Sequence, residues 1–513
     1  MNPPGPVATE GLARRATLAG LATALVALVG SWHVSLWSDE VATISAASRD
    51  LGALGQLLDH IDAVHGTYYA LMHAWVAVFG ASPFSVRLPS ALAVGAAAAG
   101  VHLLAGRLAG RSTAVLVSVV LAVLPRVTWA GIEARPFAVS LALGVWLTVL
   151  LHGSLERPRL RRDLAYGALL ALAVAVNLYL ALLPLAHLAT VLVLRRGRTA
   201  ALRLLGSSAL GALLVSPILV VGLGQAGQLG SADRGLVALV RNVVVNQWFL
   251  GETPTATTAS GGSLEAGGAA WKVAAIALAA LCWVLVAVAV AAAARRRGPA
   301  TPTPLVAWAL PWLVVPTVAL VAASVLSPSA YNPRYLTFCA PGVALLVGAA
   351  LRTLDRRLGY AVLAAVVVLA APVYASQRTT TAKSGADLAL VAEHLDGRTS
   401  PGDGVYFASR DGDDAEILRS SRTVSLGYPG PFQGLVDVTL LEDPATGGTL
   451  FGTSVPLADA GDRLADVDVL WVVRRQDRPE QAAHDDALLE DAGLTPGEAW
   501  DGPQLQVVRF ERR

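Results

Sequence analysis

Residues 35–45 read SLWSDEVATIS. An apolar segment long enough to cross a bilayer ends just before them, and the chain emerges straight into Trp37, Ser38, Asp39 and Glu40. Charged groups at the edge of a membrane domain are costly unless they are paired or face water, so two adjacent carboxylates here mark a functional candidate. The surroundings make the membrane reading firm. With 54% hydrophobic and 15% charged residues and a mean hydropathy of +0.56, the 513-residue chain is far too apolar for an ordinary soluble enzyme. It reads as an α-helical polytopic membrane protein.

Segments of about twenty apolar residues span a hydrocarbon core of roughly 30 Å. Eleven such segments are expected, at 16–36, 86–106, 112–131, 135–153, 163–178, 180–194, 200–221, 269–294, 303–326, 335–351 and 358–375. The first follows Arg14 and Arg15 and reads as a retained signal anchor. The run 67–80, TYYALMHAWVAVFG, is apolar but short, and is expected to lie on the surface. That choice puts the arginine clusters at 107–111, 157–162, 195–198, 295–297 and 352–357 on one side, as the positive-inside rule requires. The N-terminus is then cytoplasmic, and the first loop (37–85), the loop 222–268 and the tail from 376 lie outside. Leu51, Leu54, Leu57, Leu58 and Ile61 recur at helical spacing in the first loop, which predicts an amphipathic interfacial helix, with 67–80 as a second.

Formal net charge is only +2, but the charges are segregated, with about 24 acids against about 13 bases after residue 375. The tail alternates helix-like and strand-like stretches, ADLALVAEHL, GDGVYFAS, DVDVLWVV, AHDDALLEDAGL and LQVVRF, and predicts a small α/β domain over 376–513. Support, acceptor binding or partner docking is expected of it. Cys282 and Cys339 sit inside apolar segments and read as inert packing residues.

The outer face collects a short set of polar residues: Asp39, Glu40, His65, Arg87, Glu133, Arg135 and Arg334. A carboxylate where water is scarce has its pKa raised and becomes a competent base, which suits Asp39. Adjacent helical residues point about 100° apart, so Asp39 and Glu40 do not form a symmetrical acid/base pair. One faces the reaction and the other a ligand, a metal or a backbone amide. Two solvated acids capping the next helix is the plain alternative. Three arginines against the positive-inside bias call for something negative, and the planar guanidinium suits phosphate oxygens of a lipid. Snorkelling for Arg87 and a salt bridge to Glu133 for Arg135 are the plain alternatives there. In the loop 222–268, Asn246, Gln247 and Trp248 lie on a segment that is either a sugar-site wall or an interfacial helix.

LWSDEVATISAAS, HGTYYALMHAWVAVFGASPFSVRLPSALA, EARPFAVSLAL and YNPRYLTFCAPGVALL, in that order, resemble the GT-C membrane glycosyltransferases of the family 39 and aminoarabinose-transferase type. The resemblance covers most of 30–375. It implies a GT-C fold with a large first outer loop and juxtamembrane helices, and inverting transfer of a sugar from a polyprenyl-phosphate carrier to an acceptor hydroxyl. The family's acidic motif gives the catalytic carboxylate, here Asp39 with Glu40 beside it. Arg135 and Arg334, with Arg87, are expected at the donor phosphate, and His65, Tyr68, Tyr69, Glu133, Tyr335 and Trp248 at the substrate. A divalent metal held by Glu40 or His65 is an open cofactor expectation. The sequence departs from the family at HGTYYA, where Gly66-Thr67 stands in place of Pro-Pro and leaves the turn less rigid.

The Ala-, Val-, Arg- and Gly-rich usage is similar to that of high-GC actinobacteria, which use decaprenyl-phosphate mannose and arabinose. Mannose is the first expectation and arabinose the second. The acceptor is an envelope glycan, lipid or protein, and nucleic acid is not an expected partner. A lipid-linked sugar transporter would also need outer arginines, but it more often carries inverted repeats and mid-membrane polar groups, whereas the sequence shows no internal repeat and its charged residues gather at one face.

Overall fold

The first apolar run forms α1 (Pro6–Leu28) and stops short of the expected boundary at 36, with residues 29–34 in turns. The computed structural model describes residues 6–225, 235–251, 270–295, 303–326, 331–408 and 420–513. After α1 come three helices of the first loop, α2 (Ser38–Ala47), α3 (Leu51–His60) and α4 (Gly66–Phe79). Both expected surface helices are therefore present. Asp50 caps α3 by accepting from the Ala53 amide, and the left-handed Asp62 (φ 59°) turns the chain from α3 towards α4.

The bundle continues through α5 (Pro83–Ala109), α6 (Arg111–Val123), α7 (Pro125–Ala130), α8 (Phe137–Glu156), α9 (Leu160–Val176), α10 (Leu183–Val193) and α11 (Arg198–Gly224). It closes with α12 (Leu236–Arg241), α13 (Ala270–Arg295), α14 (Thr303–Leu326), α15 (Ala340–Leu351) and α16 (Arg356–Ser376). Among the described residues, eight helices are long and apolar enough to cross a membrane: Gly11–Leu28, Pro83–Ala109, Phe137–Glu156, Arg198–Gly222, Ala270–Arg295, Pro304–Val325, Pro333–Leu351 and Arg356–Ser376.

The other three expected spans also map onto helices, but shorter ones. The 112–131 segment breaks at Leu124, which leaves the helical region (φ −65°, ψ 120°) because Pro125 follows it. The 163–178 and 180–194 segments part at Asn177, whose side chain accepts from the Tyr179 amide and caps a short 3₁₀ turn, Leu178–Leu182.

Close backbone approach between spans rests on small residues. A Cβ added to Gly20 of α1 would sit 2.7 Å from the Gly95 carbonyl oxygen of α5, and one on Gly95 would meet the Gly20 carbonyl at 2.7 Å. Gly167 of α9 and Gly211 of α11 form a second such pair, with 2.8 Å to Ser207 O and 2.9 Å to Gly167 O.

The tail holds α17 (Leu388–Leu395), β1 (Gly404–Phe407), α18 (Thr423–Gly427), β2 (Val436–Asp437), β3 (Leu440–Glu442), β4 (Thr453–Ser454), α19 (Gly461–Ala465), β5 (Val469–Arg475), α20 (Pro479–Asp491), β6 (Leu494–Asp501) and β7 (Leu505–Arg512). Five strands make one sheet in the order β2-β1-β5-β7-β6; β1 runs parallel to β2 and β5, and β7 is antiparallel to β5 and β6. β3 and β4 form a separate antiparallel pair.

One apolar core is common to the tail and the first loop. Leu36, Val41 and Ile44 of the α2 region, Leu54, Tyr68 and Met72 pack with Val391, Phe407, Val424 and Trp471. Burial of this shared surface is what docks the sheet on the helix that begins with the two acids.

Candidate active site

The two acids fall in the first turn of α2, where the helix dipole favours negative charge. Their side chains diverge. Asp39 Oδ2 accepts from Arg334 Nη1 at 2.6 Å, and the pair keeps some solvent access, 15% and 17% of the side chains. Glu40 is fully buried and is taken up entirely by protein. Its Oε1 accepts from Arg87 Nε at 2.9 Å and from the Ala134 amide at 2.9 Å, and lies 2.7 Å from Lys383 Nζ; Oε2 accepts from Arg87 Nη2 at 2.6 Å.

Arg334 is aimed by its local sequence. Asn332 accepts from the Arg334 amide and Pro333 occupies the first helical position of the turn Pro333–Cys339, so NPRY is a capped start that projects the guanidinium. Its carbon lies 5.4 Å from the Trp37 ring centre and 5.6 Å from that of Phe137, two cation–π contacts that fix its plane. Arg334 Nη1 is also 3.8 Å from Glu133 Oε1.

Arg135 comes from the turn between α7 and α8. It donates to the Asp39 carbonyl at 3.4 Å, to Tyr69 Oη at 3.4 Å and to His65 Nε2 at 3.0 Å. An arginine only donates, so His65 Nε2 is the acceptor and the proton sits on Nδ1, which is buried without a hydrogen-bond partner among the described residues. Tyr69 donates in turn to Asp62 Oδ2 at 2.7 Å.

The electrostatics correct one expectation. Burial pushes the Asp39 carboxyl up, as anticipated, but Arg334 and Arg135 more than offset it, and the net shift is downward. Burial likewise acts against Glu40, and Arg87 and Lys383 override it, holding its carboxyl at about 2. Burial and then Arg135 drive His65 down to about 4, so its imidazole is neutral.

A cavity of about 410 Å³ lies beside this cluster. Most of its wall is apolar, with Val64, Phe137, Val176, Leu178 and Leu219, while Asp62, His65, Asn177 and Gln225 supply polar points. Tyr335 lines it too and stacks on Tyr179, with ring centres 4.5 Å apart and planes 14° from parallel. Gln225 closes one side: it accepts from the Ala63 amide and donates to the Leu58 carbonyl, both at 2.9 Å, tying the end of α11 to the first loop.

Several expected roles change with this geometry. Arg87 is not available to a phosphate: it is fully buried and its five N–H donors go to Glu40 twice and to the carbonyls of Ser31, Val34 and Ser35. Glu40 is fully buried among these partners and does not line the cavity. Trp248 is 1% exposed and packs in the bundle core, donating to the Val243 carbonyl, so it does not line the cavity. Its segment Asn242–Leu250 is a π-helix, which turns Gln247, Trp248 and Phe249 inward together. Tyr68 is buried in the core shared with the tail, and Tyr69 acts behind Arg135. A divalent cation on Glu40 or His65 does not fit, because cations already surround the Glu40 oxygens and Arg135 faces His65 Nε2. Among the described residues no three His, Cys, Asp or Glu side chains form a group that could hold a metal.

The remaining parts of the loop 222–268 and the start of SAYNPRYL lie outside the described residues. Tyr179, Asp62, Gln225 and Lys383 were not among the sequence candidates. Tyr179 falls between the expected spans 163–178 and 180–194, and Asp62 directly follows the Leu51–Ile61 repeat.

The family profile for dolichyl-phosphate-mannose-protein mannosyltransferase matches residues 67–221. A crystal structure of ArnT from Cupriavidus metallidurans in the apo state superposes with a TM-score of 0.59 at 14% identity, over 96% of this chain and 97% of that one. The chain has the GT-C fold. The structure of the same ArnT bound to undecaprenyl phosphate gives a TM-score of 0.56 at 14% identity, with the same coverage. A looser GT-C match is arabinofuranosyltransferase AftD from Mycobacteria, with a TM-score of 0.45 at 15% identity over 97% of this chain and 41% of that one. No curated protein sequence matches the chain. Within the GT-C fold, the first loop, the α7–α8 turn and the 331–336 segment converge on Asp39.

Proposed function

We propose that the chain is an inverting glycosyltransferase that moves a sugar from a polyprenyl-phosphate carrier to an acceptor hydroxyl on the outer side of the cytoplasmic membrane. The observation that carries this reading is the Asp39–Arg334 pair, a carboxylate and a guanidinium 2.6 Å apart, walled by Trp37 and Phe137 beside a largely apolar cavity. ArnT with undecaprenyl phosphate supports the carrier class, and the mannosyltransferase profile supports a hexose. Mannose is the first reading and arabinose the second; the acceptor is an envelope glycan, lipid or protein. The arginine clusters support a cytoplasmic N-terminus with the tail domain 376–513 outside.

The chemistry is a single displacement. The acceptor oxygen forms a bond to sugar C1 while the C1–O bond to phosphate breaks, and the phosphate leaves with the electron pair. The acceptor proton goes to Asp39. Glu40 is occupied by Arg87, Lys383 and the Ala134 amide, so it does not act as a second carboxylate opposite Asp39.

Arg334 serves twice. Before the donor binds, it holds Asp39 ionised and weakly basic. A donor phosphate competes for the same guanidinium, and as Arg334 turns to the phosphate, Asp39 loses its partner and gains basicity. Arg135, held by His65 and Tyr69, is the second cation for the leaving phosphate. The Tyr335–Tyr179 stack offers a flat face for a sugar ring or the first isoprene units.

The test is a donor panel. Purified protein with an envelope extract and either decaprenyl-phosphate mannose or decaprenyl-phosphate arabinose should give one new glycosylated product by mass spectrometry. Absence of transfer from both, with the protein folded, refutes the reading.

A further inference from the structure

Lys383 comes from the tail side of the chain, in a stretch of turns after α16, and yet its ammonium is fully buried under the first turn of α2. It donates to the Ile132 carbonyl at 2.9 Å, reaches Glu40 Oε1 at 2.7 Å and lies 5.4 Å from the Trp129 ring centre. The turn it touches carries Glu133 and Arg135, and its backbone is held at Ile132, Glu133 and Ala134. Ile132 O accepts from Lys383, Glu133 O from Ser90, Ala134 O from Thr43, and the Ala134 amide donates to Glu40. Tail contacts also run along α2: Tyr428 Oη accepts from the Leu36 amide, Ser45 Oγ donates to Leu450 O, and Arg49 donates to Thr449 O.

Arg87 and Lys383 divide the work. Arg87 binds Glu40 to the segment before α2, through Ser31, Val34 and Ser35. Lys383 binds the same carboxylate to the turn before α8. We propose that Lys383 is a positioning residue for the transfer step, acting through Glu40 and Ile132 to hold the turn that presents Arg135 against Asp39. The tail thereby completes the active site without touching substrate. This rests on the glycosyl-transfer reading for its kinetic consequence, but not for its structural one.

Removing the ammonium leaves Ile132 O without its donor and Glu40 with one cation, so the 131–136 turn gains freedom while α2 stays anchored by Arg87. A displacement on the scale of 1 Å at a reacting group costs on the order of 100-fold in rate. Lys383 faces Arg87 from α5, Glu40 from α2 and Glu133 from the turn; burial and Arg87 bring its pKa down to about 8. Its charge therefore titrates within reach of a measurement.

The test is hydrogen–deuterium exchange on the full chain in detergent, with the wild type, Lys383→Met and Lys383→Arg. The expected result is faster exchange confined to 131–136 in Lys383→Met, with near-wild-type protection in Lys383→Arg. If Lys383→Met does not fold, the wild type alone decides. After correction for intrinsic rates, its 131–136 exchange should rise as pH passes about 8, and that of Lys383→Arg should stay flat. Unchanged exchange in Lys383→Met, loosening spread over the whole tail sheet, or identical pH curves would overturn the proposal. With decaprenyl-phosphate mannose and arabinose as donors, kcat of Lys383→Met should fall about 10- to 100-fold with donor KM within about twofold. Transfer absent from every variant counts against the glycosyl-transfer reading and leaves the exchange result standing.

Discussion

Asp39 and Arg334, 295 residues apart in the chain, meet at 2.6 Å and close the site from opposite ends of the bundle sequence. If Asp39 takes the acceptor proton, Asp39→Asn removes a general base and keeps the side-chain shape. Turnover with a polyprenyl-phosphate sugar should drop by about 10²- to 10⁴-fold, with the variant still folded and inserted in the membrane. Near-normal kcat in that variant removes Asp39 from the mechanism.

The same pair sets a pH dependence. Burial raises the Asp39 pKa, but Arg334 and Arg135 outweigh it, so in the free enzyme the carboxylate stays ionised below its ordinary 3.8. The acid limb of kcat/KM, which reports the free enzyme, should therefore lie below the usual carboxylate range. Arg334→Gln removes the nearer opposing charge and should move that limb upward while lowering kcat by about 10²- to 10³-fold. An acid limb that stays put separates Arg334 from the base.

Glu40 and Arg87 are both fully buried, and breaking such a pair from one side leaves an uncompensated charge. Glu40→Gln and Arg87→Met should each cost about 3–5 kcal/mol in unfolding measurements, and should lower the yield of folded protein before they alter donor affinity. The sign of the pH effect follows from the depressed carboxyl. Its stabilisation is present in full above the ordinary 4.5 and is lost as pH falls towards about 2. The stability gap between Glu40→Gln and the wild type should therefore narrow as pH falls from 4.5 towards about 2, since that variant has nothing left to protonate.

Tyr335 faces the cavity over Tyr179, so its contribution is the ring rather than the hydroxyl. Tyr335→Phe should leave donor KM within about twofold, whereas Tyr335→Leu, which loses about 0.5–1.5 kcal/mol of stacking, should raise it up to about tenfold. Equal KM values for the two variants would show that the face of the ring carries no donor contact.

Much of this site is legible in local sequence. The helical phase between Asp39 and Glu40 separates their tasks, and the NPRY cap places Arg334; the strand and helix alternation of the tail is visible from its periodicity. Other parts have no local signature. Lys383 lies in TTTAKSG, which reads as a solvated loop, and only the docking of the tail sheet buries it. Trp248 misleads because a π-helix changes the period that amphipathicity is counted against, turning the expected surface inward. Arg87 looks like a snorkelling residue until three carbonyls of the α1–α2 connection are found around it. The downward shift at Asp39 is equally invisible, since it depends on two arginines that arrive from distant segments.

The first turn of α2 also acts as an index mark. Because consecutive residues there are sent to different compartments, one to Arg334 and the next to Arg87, Lys383 and Ala134, a single-residue insertion ahead of Asp39 would carry Asp39 to the address of Glu40 and Glu40 to that of Val41, leaving Arg334 without its carboxylate. The chain can tolerate drift in its loops and in much of its lipid-facing surface, but not a change of frame at Ser38.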